Sequence, residues 1–308
     1  MKFQLLFCFS LLAFPSCIQE VDFDIPTGIV KVGINCILVN NEVPEVVVYQ
    51  TCSMLDSLDI KYITDAEVSL VRSDGFQYQF ELSDDSTLYH SDSTVIQGLT
   101  YSLEALVNNQ IYTASTTVPG PIDSLTAVYD HGNYTDEYGE ALTHMIIGFE
   151  DIPEEDNYFQ MFLMDSNNSD PLSIYNFWNF SHISDPILVE ESLLEYEPTG
   201  FIFSDKQSSN GLIDIELFGF FGLDNGKPPE TDIVVRSVSA ELFEFLKSWI
   251  IHSYNQNNSN HVNVIDDLDP YRIFLQGQPV PLYSNISGGV GIFAGYSESR
   301  KSFNYVEQ

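Results

Sequence analysis

Stretches in which apolar and polar residues alternate recur along most of this chain, and they constrain its fold more than any other feature. Thr100–Val107 places Tyr101, Leu103 and Ala105 on one side, with polar side chains between them. Gly211–Leu217 repeats the pattern. Alternation with a period of two is typical of a β-strand that buries one face. The sequence therefore predicts a mainly β protein.

The first half of the chain has the strand spacing of a β-sandwich. About seven short strands are predicted before a Pro-Gly-Pro linker, and the clearest are Ile29–Val39, Val46–Thr51, Ala66–Val71, Gln77–Leu82, Thr100–Val107 and Ile111–Val118. Short strands without a helical period, in roughly 95 residues, fit an immunoglobulin-like or prealbumin-like sandwich. We place this domain at residues 28–118 and the linker at 119–123.

The second half predicts another sandwich, at residues 124–302, followed by a tail at 303–308. Its clearest strands are His144–Phe149, Tyr158–Met164, Gly211–Leu217 and Asp232–Ser237. One helix is predicted near 240–254, with Ser239 as its N-cap. Its inward stripe is expected to contain Leu242, Leu246, Trp249, Ile250 and Ser253, widened by Phe243 and Phe245.

The N-terminus has the form of an export signal. Lys2 precedes the apolar run Phe3–Phe14, which is too short to span a bilayer. Ser16-Cys17 then supplies the small residue and the cysteine of a lipobox. We expect a signal peptide at 1–16, lipid on Cys17 and a tether at 17–27, since two or more acyl chains give stable anchoring. The alternative is an ordinary signal peptide with a coincidental cysteine.

The chain is strongly acidic, with 11 Lys and Arg against 45 Asp and Glu and a formal charge of −34. Such a charge repels polyanions, which excludes nucleic acid as a direct partner. Any partner selected by charge is expected to be cationic.

Two cysteines remain after the signal and the anchor, Cys36 and Cys52. In an exported protein they are candidates for a disulfide. Because Cys36 alternates with apolar Ile34 and Leu38, a buried free thiol is the competing interpretation. Both alternatives stay open.

The metal-ligand pattern is weak. Six histidines are scattered without zinc-helix spacing. Asp165, Asn167 and Asp170 are weak calcium candidates, but their loop lacks the central glycine and closing glutamate of a calcium loop. Ordinary turn chemistry explains them better. We expect no metal and no cofactor.

An aromatic run is the best candidate for ligand or partner contact: Tyr175, Phe177, Trp178 and Phe180. Flat aromatic faces suit sugars, peptides or a protein partner. The competing interpretation is the aromatic core of an edge strand.

Catalytic patterns are absent from the sequence. No serine sits in a GxSxG elbow, and the adjacent acids at Glu154-Glu155 and Glu190-Glu191 are typical of solvated loops. We therefore expect no enzymatic activity, with a hydrolase as the least favoured alternative.

The closing segment carries a resemblance. Four earlier segments agree with it: "ITDAEVSLV", "GLTYSLEALVNNQIYTASTTVP", "FEDIPEEDNYFQMFL" and "SVSAELFEFLKSW". Together with the closing "PVPLYSNISGGVGIFAGY", and in the order found in the family, they resemble a family of Bacteroidota outer-membrane lipoproteins. That family is catalogued only as a domain of unknown function (number four thousand two hundred and forty-nine). The resemblance covers most of the mature chain and supplies no catalytic residue. The three close glycines imply backbone conformations or close approaches that a side chain would forbid. A phosphate-binding loop is dismissed, because the third glycine at the required spacing and the strand-to-helix context are both missing.

The resemblance implies a lipoprotein of the outer membrane, facing the exterior and associated with a TonB-dependent receptor. We therefore expect a non-enzymatic accessory that binds or gates such a transporter. A free-standing glycan- or peptide-binding surface module is the alternative. The acidic residues after Cys17 (Glu20, Asp22 and Asp24) resemble an outward-sorting signal.

Overall fold

The computed structural model describes residues 29–52, 60–150, 156–165, 185–196, 200–207, 211–219, 231–257 and 280–305. The chain divides into two compact units. The first contains Met1–Val30 and Cys52–Leu58, of which residues 29, 30 and 52 are described. The second contains Lys31–Thr51 and Asp59–Gln308, and it holds all elements below. The prediction of a mainly β fold with sandwich architecture is confirmed.

The strands are short before the linker and longer after it. Before the linker they are β1 Val32–Val39, β2 Glu45–Gln50, β3 Lys61–Tyr62, β4 Glu67–Arg72, β5 Gln77–Tyr78, β6 Glu81–Leu82, β7 Tyr89–His90, β8 Thr100–Val107 and β9 Gln110–Thr117. After it they are β10 Thr126–Thr135, β11 Ala141–Glu150, β12 Tyr158–Asp165, β13 Phe201–Ser204, β14 Leu212–Gly219, β15 Thr231–Val238, β16 Val290–Ser302 and β17 Asn304–Tyr305. The described α-helices are α1 Pro186–Glu191 and α2 Ala240–Asn257.

A large sheet runs through both halves of the chain, in the order β13-β12-β15-β16-β1-β2-β7-β6, with β3 beside β2. Its central pair is parallel: β1 lies beside β16, with Gly33 opposite Val290 and Val39 opposite Tyr296. The same sheet therefore contains strands from both predicted domains. Whether the ranges 28–118 and 124–302 fold independently stays a prediction.

The first core lies between β1 and β2 and the four-stranded sheet β5-β4-β8-β9. Its alternating residues Ile34, Cys36 and Leu38 point inward from β1 and are almost fully buried. Ile286 and Phe293, from the far end of the chain, belong to this core as well. The first sandwich is thus completed by the C-terminal segment.

The second core lies between β12, β13 and β15 and the sheet β14-β11-β10-β17. On the opposite face of the large sheet, α2 packs Leu242 and Phe243 against Ile292 and Ala294 of β16. Since Phe293 lies between these two β16 residues, the strand contributes to the first core and to the helix contact from opposite faces.

Several secondary-structure elements differ from the sequence prediction. The predicted strand Gln77–Leu82 is two short strands, because the chain crosses from the small sheet at β5 to the large sheet at β6. Strand β10 was not predicted, because a bulge between His131 and Tyr134 interrupts its alternation. The helix α1 was not predicted either.

Trp249 was predicted to face inward from α2, and this is wrong. Its side chain is 48% exposed, whereas Leu242 and Phe243 are buried and Leu246 and Ile250 are partly buried. At 100° per residue, Trp249 lies roughly 75° from the centre of the buried stripe, which places it at the solvent boundary. The rest of the predicted stripe is at least partly buried.

Candidate functional site

A cleft of about 840 Å³ lies where the linker passes the first turn of α2. Its walls are formed by the end of β9, the linker, the start of β12 and the end of β15. The lining residues are Gln97, Gly98, Thr117, Val118, Pro119, Gly120, Pro121, Ile122, Asp123, Glu150, Asp156, Asn157, Tyr158, Phe159, Ser237, Val238, Ser239, Ala240 and Glu241. A space of this size is within the range of small-molecule sites.

Strand β16 holds the linker wall of the cleft in place. The Ser297 hydroxyl donates to the Pro119 carbonyl at 2.5 Å, and the Ser299 hydroxyl donates to the Ile122 carbonyl at 2.8 Å. Both hydrogen bonds use carbonyl oxygens of the linker, and the prolines of the linker have no N–H to donate. The predicted linker is therefore hydrogen-bonded to β16 at two positions.

The start of α2 forms a second wall. The Ser239 hydroxyl oxygen accepts from the Leu242 N–H at 3.3 Å, which confirms the predicted N-cap. The same oxygen accepts from the Gly295 N–H at 3.3 Å, and the Ser239 N–H donates to the Gly295 carbonyl at 2.8 Å. The helix start is therefore fixed to β16 as well.

The charged side chains that line the cleft are all acidic. Asp123, Glu150 and Asp156 are exposed, and the Glu241 carboxylate accepts from the Thr116 hydroxyl at 2.7 Å. None of the described lining residues is Lys or Arg. Carboxylates concentrated in a concave surface attract cations and offer hydrogen-bond acceptors. The arrangement favours a positively charged ligand or a basic segment of a partner.

Most of the residues predicted as contact or metal sites lie outside the described residues. These are the anchor Cys17, the aromatic run Tyr175, Phe177, Trp178 and Phe180, and the calcium candidates Asn167 and Asp170. Asp165 is the last residue of β12, and its side chain is also outside the described part.

Cys36 and Cys52 are both free thiols in the structure, the first buried and the second exposed. Burial raises the pKa of the Cys36 thiol, and the Glu45 carboxylate adds to the rise. A protonated buried thiol matches the competing interpretation from the sequence. The disulfide stays a prediction for experiment.

The glycines of the closing segment have a packing role. A Cβ at Gly289 would lie 2.7 Å from the Val32 carbonyl oxygen, and one at Gly291 would overlap the Ile34 carbonyl. The Asn285 side chain donates to the Phe293 carbonyl at 2.7 Å and accepts from the Phe293 N–H at 2.9 Å. The close backbone approaches predicted at these glycines are present, and the structure shows that they bring β16 against β1.

Among the described residues, no three His, Cys, Asp or Glu side chains gather into a metal-binding group. No described helix is long and apolar enough to cross a membrane.

The sequence comparison identifies the family. The family described as Domain of unknown function (DUF4249) matches residues 18–302. The chain belongs to this family. No curated protein matches the chain. The family assignment confirms the resemblance in the closing segment and supplies no site residues.

The cleft was missed from the sequence because its walls come from segments far apart in the chain. Two local signals did point to parts of it, the Pro-Gly-Pro linker and the N-cap Ser239. Neither signal indicated that the two segments face each other across a cavity.

Proposed function

We propose that the protein is a non-enzymatic binding lipoprotein of the outer-membrane surface, acting as an accessory to a TonB-dependent transporter. The observation that carries the binding function is the acidic cleft between the linker and α2. A concave surface with carboxylates and no described Lys or Arg suits a cationic ligand or a basic segment of the transporter.

Membrane anchoring is proposed through lipid on Cys17. The family match begins at Ile18, directly after this cysteine, so the predicted signal lies before the matched region. Cys17→Ala is expected to move the protein from the detergent-soluble membrane fraction to the soluble fraction. Mass spectrometry of the mature N-terminus measures the lipid directly. An unmodified Cys17 in the purified protein would refute the anchor.

The transporter association is tested by extraction in mild detergent and co-purification. The wild-type chain is expected to bring down a TonB-dependent receptor. The triple variant Asp123→Asn, Asp156→Asn and Glu241→Gln removes three cleft charges with little change in shape and is expected to recover at least tenfold less receptor.

A matched control removes three exposed charges outside the cleft, Glu67→Gln, Glu81→Gln and Glu104→Gln. It is expected to co-purify as the wild type does. Equal loss in both triple variants would mean that net charge alone, and not the cleft, governs association. Recovery of the wild type without a receptor would contradict the accessory function.

A free-standing glycan- or peptide-binding module is the second candidate, and an aromatic row on α2 favours it. Phe245 and Trp249 stack with ring centroids 6.3 Å apart, and Trp249 and His252 stack at the same distance. Because Trp249 is 48% exposed, part of this aromatic row is available for contact with a ligand.

The chain has two tryptophans, which makes this candidate testable by fluorescence. The variant Trp178→Phe reports Trp249 alone, and Trp249→Phe reports Trp178 alone. A free-standing module is expected to show saturable quenching by a glycan or peptide when the chain is expressed without Cys17. Turnover of glycoside, ester or peptide substrates in the same screen would instead support a hydrolase.

A further inference from the structure

The imidazole of His144 occupies an unusual position on the sheet β14-β11-β10, outside the cleft. Its neighbours Met145 and Ile147 belong to the second core, so His144 points from β11 to the opposite, outer face. There it stacks on Phe218 of β14 at 4.5 Å and meets the edge of Tyr134 at 4.7 Å. The ring is held in place from both neighbouring strands, and its side chain is only 7% exposed.

Each nitrogen of this ring faces a carboxylate on a different strand. Nδ1 lies 3.8 Å from Oδ2 of Asp130 on β10, and Nε2 lies 3.7 Å from Oε2 of Glu216 on β14. Both separations exceed a hydrogen-bond length. His144 Nε2 and Asp130 Oδ1 are buried, and neither has a hydrogen-bond partner among the described residues. A buried polar atom left unpaired costs about 1–3 kcal/mol, so this arrangement calls for a further group.

The surroundings are negatively charged. Asp185, the N-cap of α1, lies close enough to Glu216 for the two carboxylates to repel, which adds to the rise in the pKa of Asp185 that burial causes. Asp214 lies on the same face of β14 as Glu216, two residues away. A cation beside Glu216 would offset this repulsion.

We propose that His144 Nε2 and the Glu216 carboxylate bind a late first-row divalent metal ion such as Zn²⁺, with the Asp130 carboxylate on the Nδ1 side of the imidazole. Zn–N and Zn–O bonds of about 2.1 Å that close a 3.7 Å gap give an angle of roughly 125° at the metal, compatible with distorted tetrahedral geometry. A carboxylate behind a ligating histidine is the usual support for such an ion.

The donor set selects the kind of metal. An imidazole nitrogen suits Zn²⁺, Cu²⁺ and Ni²⁺, whereas Ca²⁺ and Mg²⁺ prefer oxygen donors throughout. Two protein ligands leave two tetrahedral positions for water or for a donor from a bound molecule, in keeping with the lack of a three-ligand group among the described residues. The Glu216 side chain is 60% exposed, so its carboxylate can meet the ion from solvent.

The experiment is a thermal melt of the purified full chain at constant pH, after removal of metal by a chelator. Zn²⁺ at tenfold its Kd is expected to raise Tm by about 2 °C, and Ca²⁺ is expected to leave it unchanged. Isothermal titration should give one Zn²⁺ per chain. No stabilisation and no binding heat with Zn²⁺ would overturn the proposal.

Three variants locate the effect. Glu216→Gln changes an exposed carboxylate, keeps the fold and is expected to lower Zn²⁺ affinity at least tenfold. His144→Gln should abolish binding. Asp214→Asn is the control, since it removes the same charge from the same strand face and should bind Zn²⁺ within twofold of the wild type. Equal Zn²⁺ affinity in Glu216→Gln and the wild type would overturn the assignment. A second melt at lower pH is the comparison: a rise in Tm there, with no rise on addition of Zn²⁺, would overturn it as well.

Discussion

At Gly291 the backbone of β16 passes very close to β1. Its φ of +121° lies in the region that glycine favours, and a Cβ would overlap the Ile34 carbonyl oxygen. Asn35 supports the same approach, because its side-chain oxygen accepts from the Ile292 N–H at 3.2 Å. Single residues thus determine whether the parallel central pair of the large sheet forms.

Gly291→Ala is expected to destabilise the protein by about 2–4 kcal/mol, through backbone strain and overlap together. Gly75→Ala is the matched control, since Gly75 has a φ of +91° but no heavy atom within 4 Å of the added Cβ. Strain alone should cost about 1 kcal/mol there. Urea unfolding measures both. Equal losses would mean that the approach to Ile34 is not restrictive.

Cys36 and Cys52 differ in burial, which predicts different reactivity. In the native chain at pH 8, Cys52 is expected to react with iodoacetamide at least 100-fold faster than Cys36, because the Cys36 thiol is buried away from the reagent and its pKa is raised. Mass spectrometry of the peptides follows each site. If neither cysteine reacts in denaturant without reductant, the two form the disulfide.

Burial also predicts a pH dependence of stability if Cys36 is a free thiol. Its pKa is raised in the folded state, so the folded chain keeps the proton while the unfolded chain loses it above about pH 8.5. The free energy of unfolding is therefore expected to fall above that pH, by up to about 1.4 kcal/mol per pH unit from this group. In Cys36→Ala the decline between pH 8 and 10 should be shallower. An unchanged slope would contradict a free, titrating thiol.

At the scale of elements, α2 is attached to the sheet through its N-cap, Ser239. The Ser239 hydroxyl accepts two backbone N–H groups, one from the helix and one from Gly295 of β16. Further along, the Ser248 hydroxyl oxygen accepts from the Tyr283 N–H at 2.8 Å, and His252 Nδ1 lies 2.8 Å from the Val280 carbonyl oxygen. The helix α2 is thus fixed both to β16 and to the segment that precedes β16 in the chain.

Ser239→Ala is expected to lower the free energy of unfolding by about 1–2 kcal/mol, because it leaves two buried N–H groups without their acceptor. Ser253→Ala, near the other end of α2, is the control and should change stability by less than about 0.5 kcal/mol. Thermal melts compare the two. A similar loss in both variants would mean that the N-cap contact contributes little.

At the scale of the whole molecule, β16 links the parts. It pairs with β1 on one side and β15 on the other, and it carries the hydroxyl groups that hold the linker. The first core contains Phe293 as a fully buried side chain. A fragment that ends at the linker loses all of these contacts.

Residues 28–118 expressed alone are therefore expected to lack a cooperative unfolding transition. The same fragment with residues 282–302 fused through a flexible linker supplies Ile286 and Phe293 and the parallel partner of β1, and it should recover near-ultraviolet circular dichroism and a cooperative melt. Cooperative unfolding of the short fragment would instead favour the independent first domain predicted from the sequence.

Much of the strand content was predictable from local pattern. Thr100–Val107 was predicted with its observed bounds, and the helix was predicted with its N-cap. These elements are readable because burial of one face leaves a period in the sequence. The bulged β10 and the crossing from β5 to β6 were not predictable from the sequence, since each breaks that period.

The sequence by itself determined the β class, the charge, the family resemblance and the close backbone approach at the closing glycines, because these depend on composition and on short-range order. Only the tertiary structure decided that β16 lies beside β1. It also decided that the linker and α2 enclose a cleft, and that His144 lies between Asp130 and Glu216. These contacts join residues 14 to more than 250 positions apart, and a period of two says which residues share a face but not which strands become neighbours.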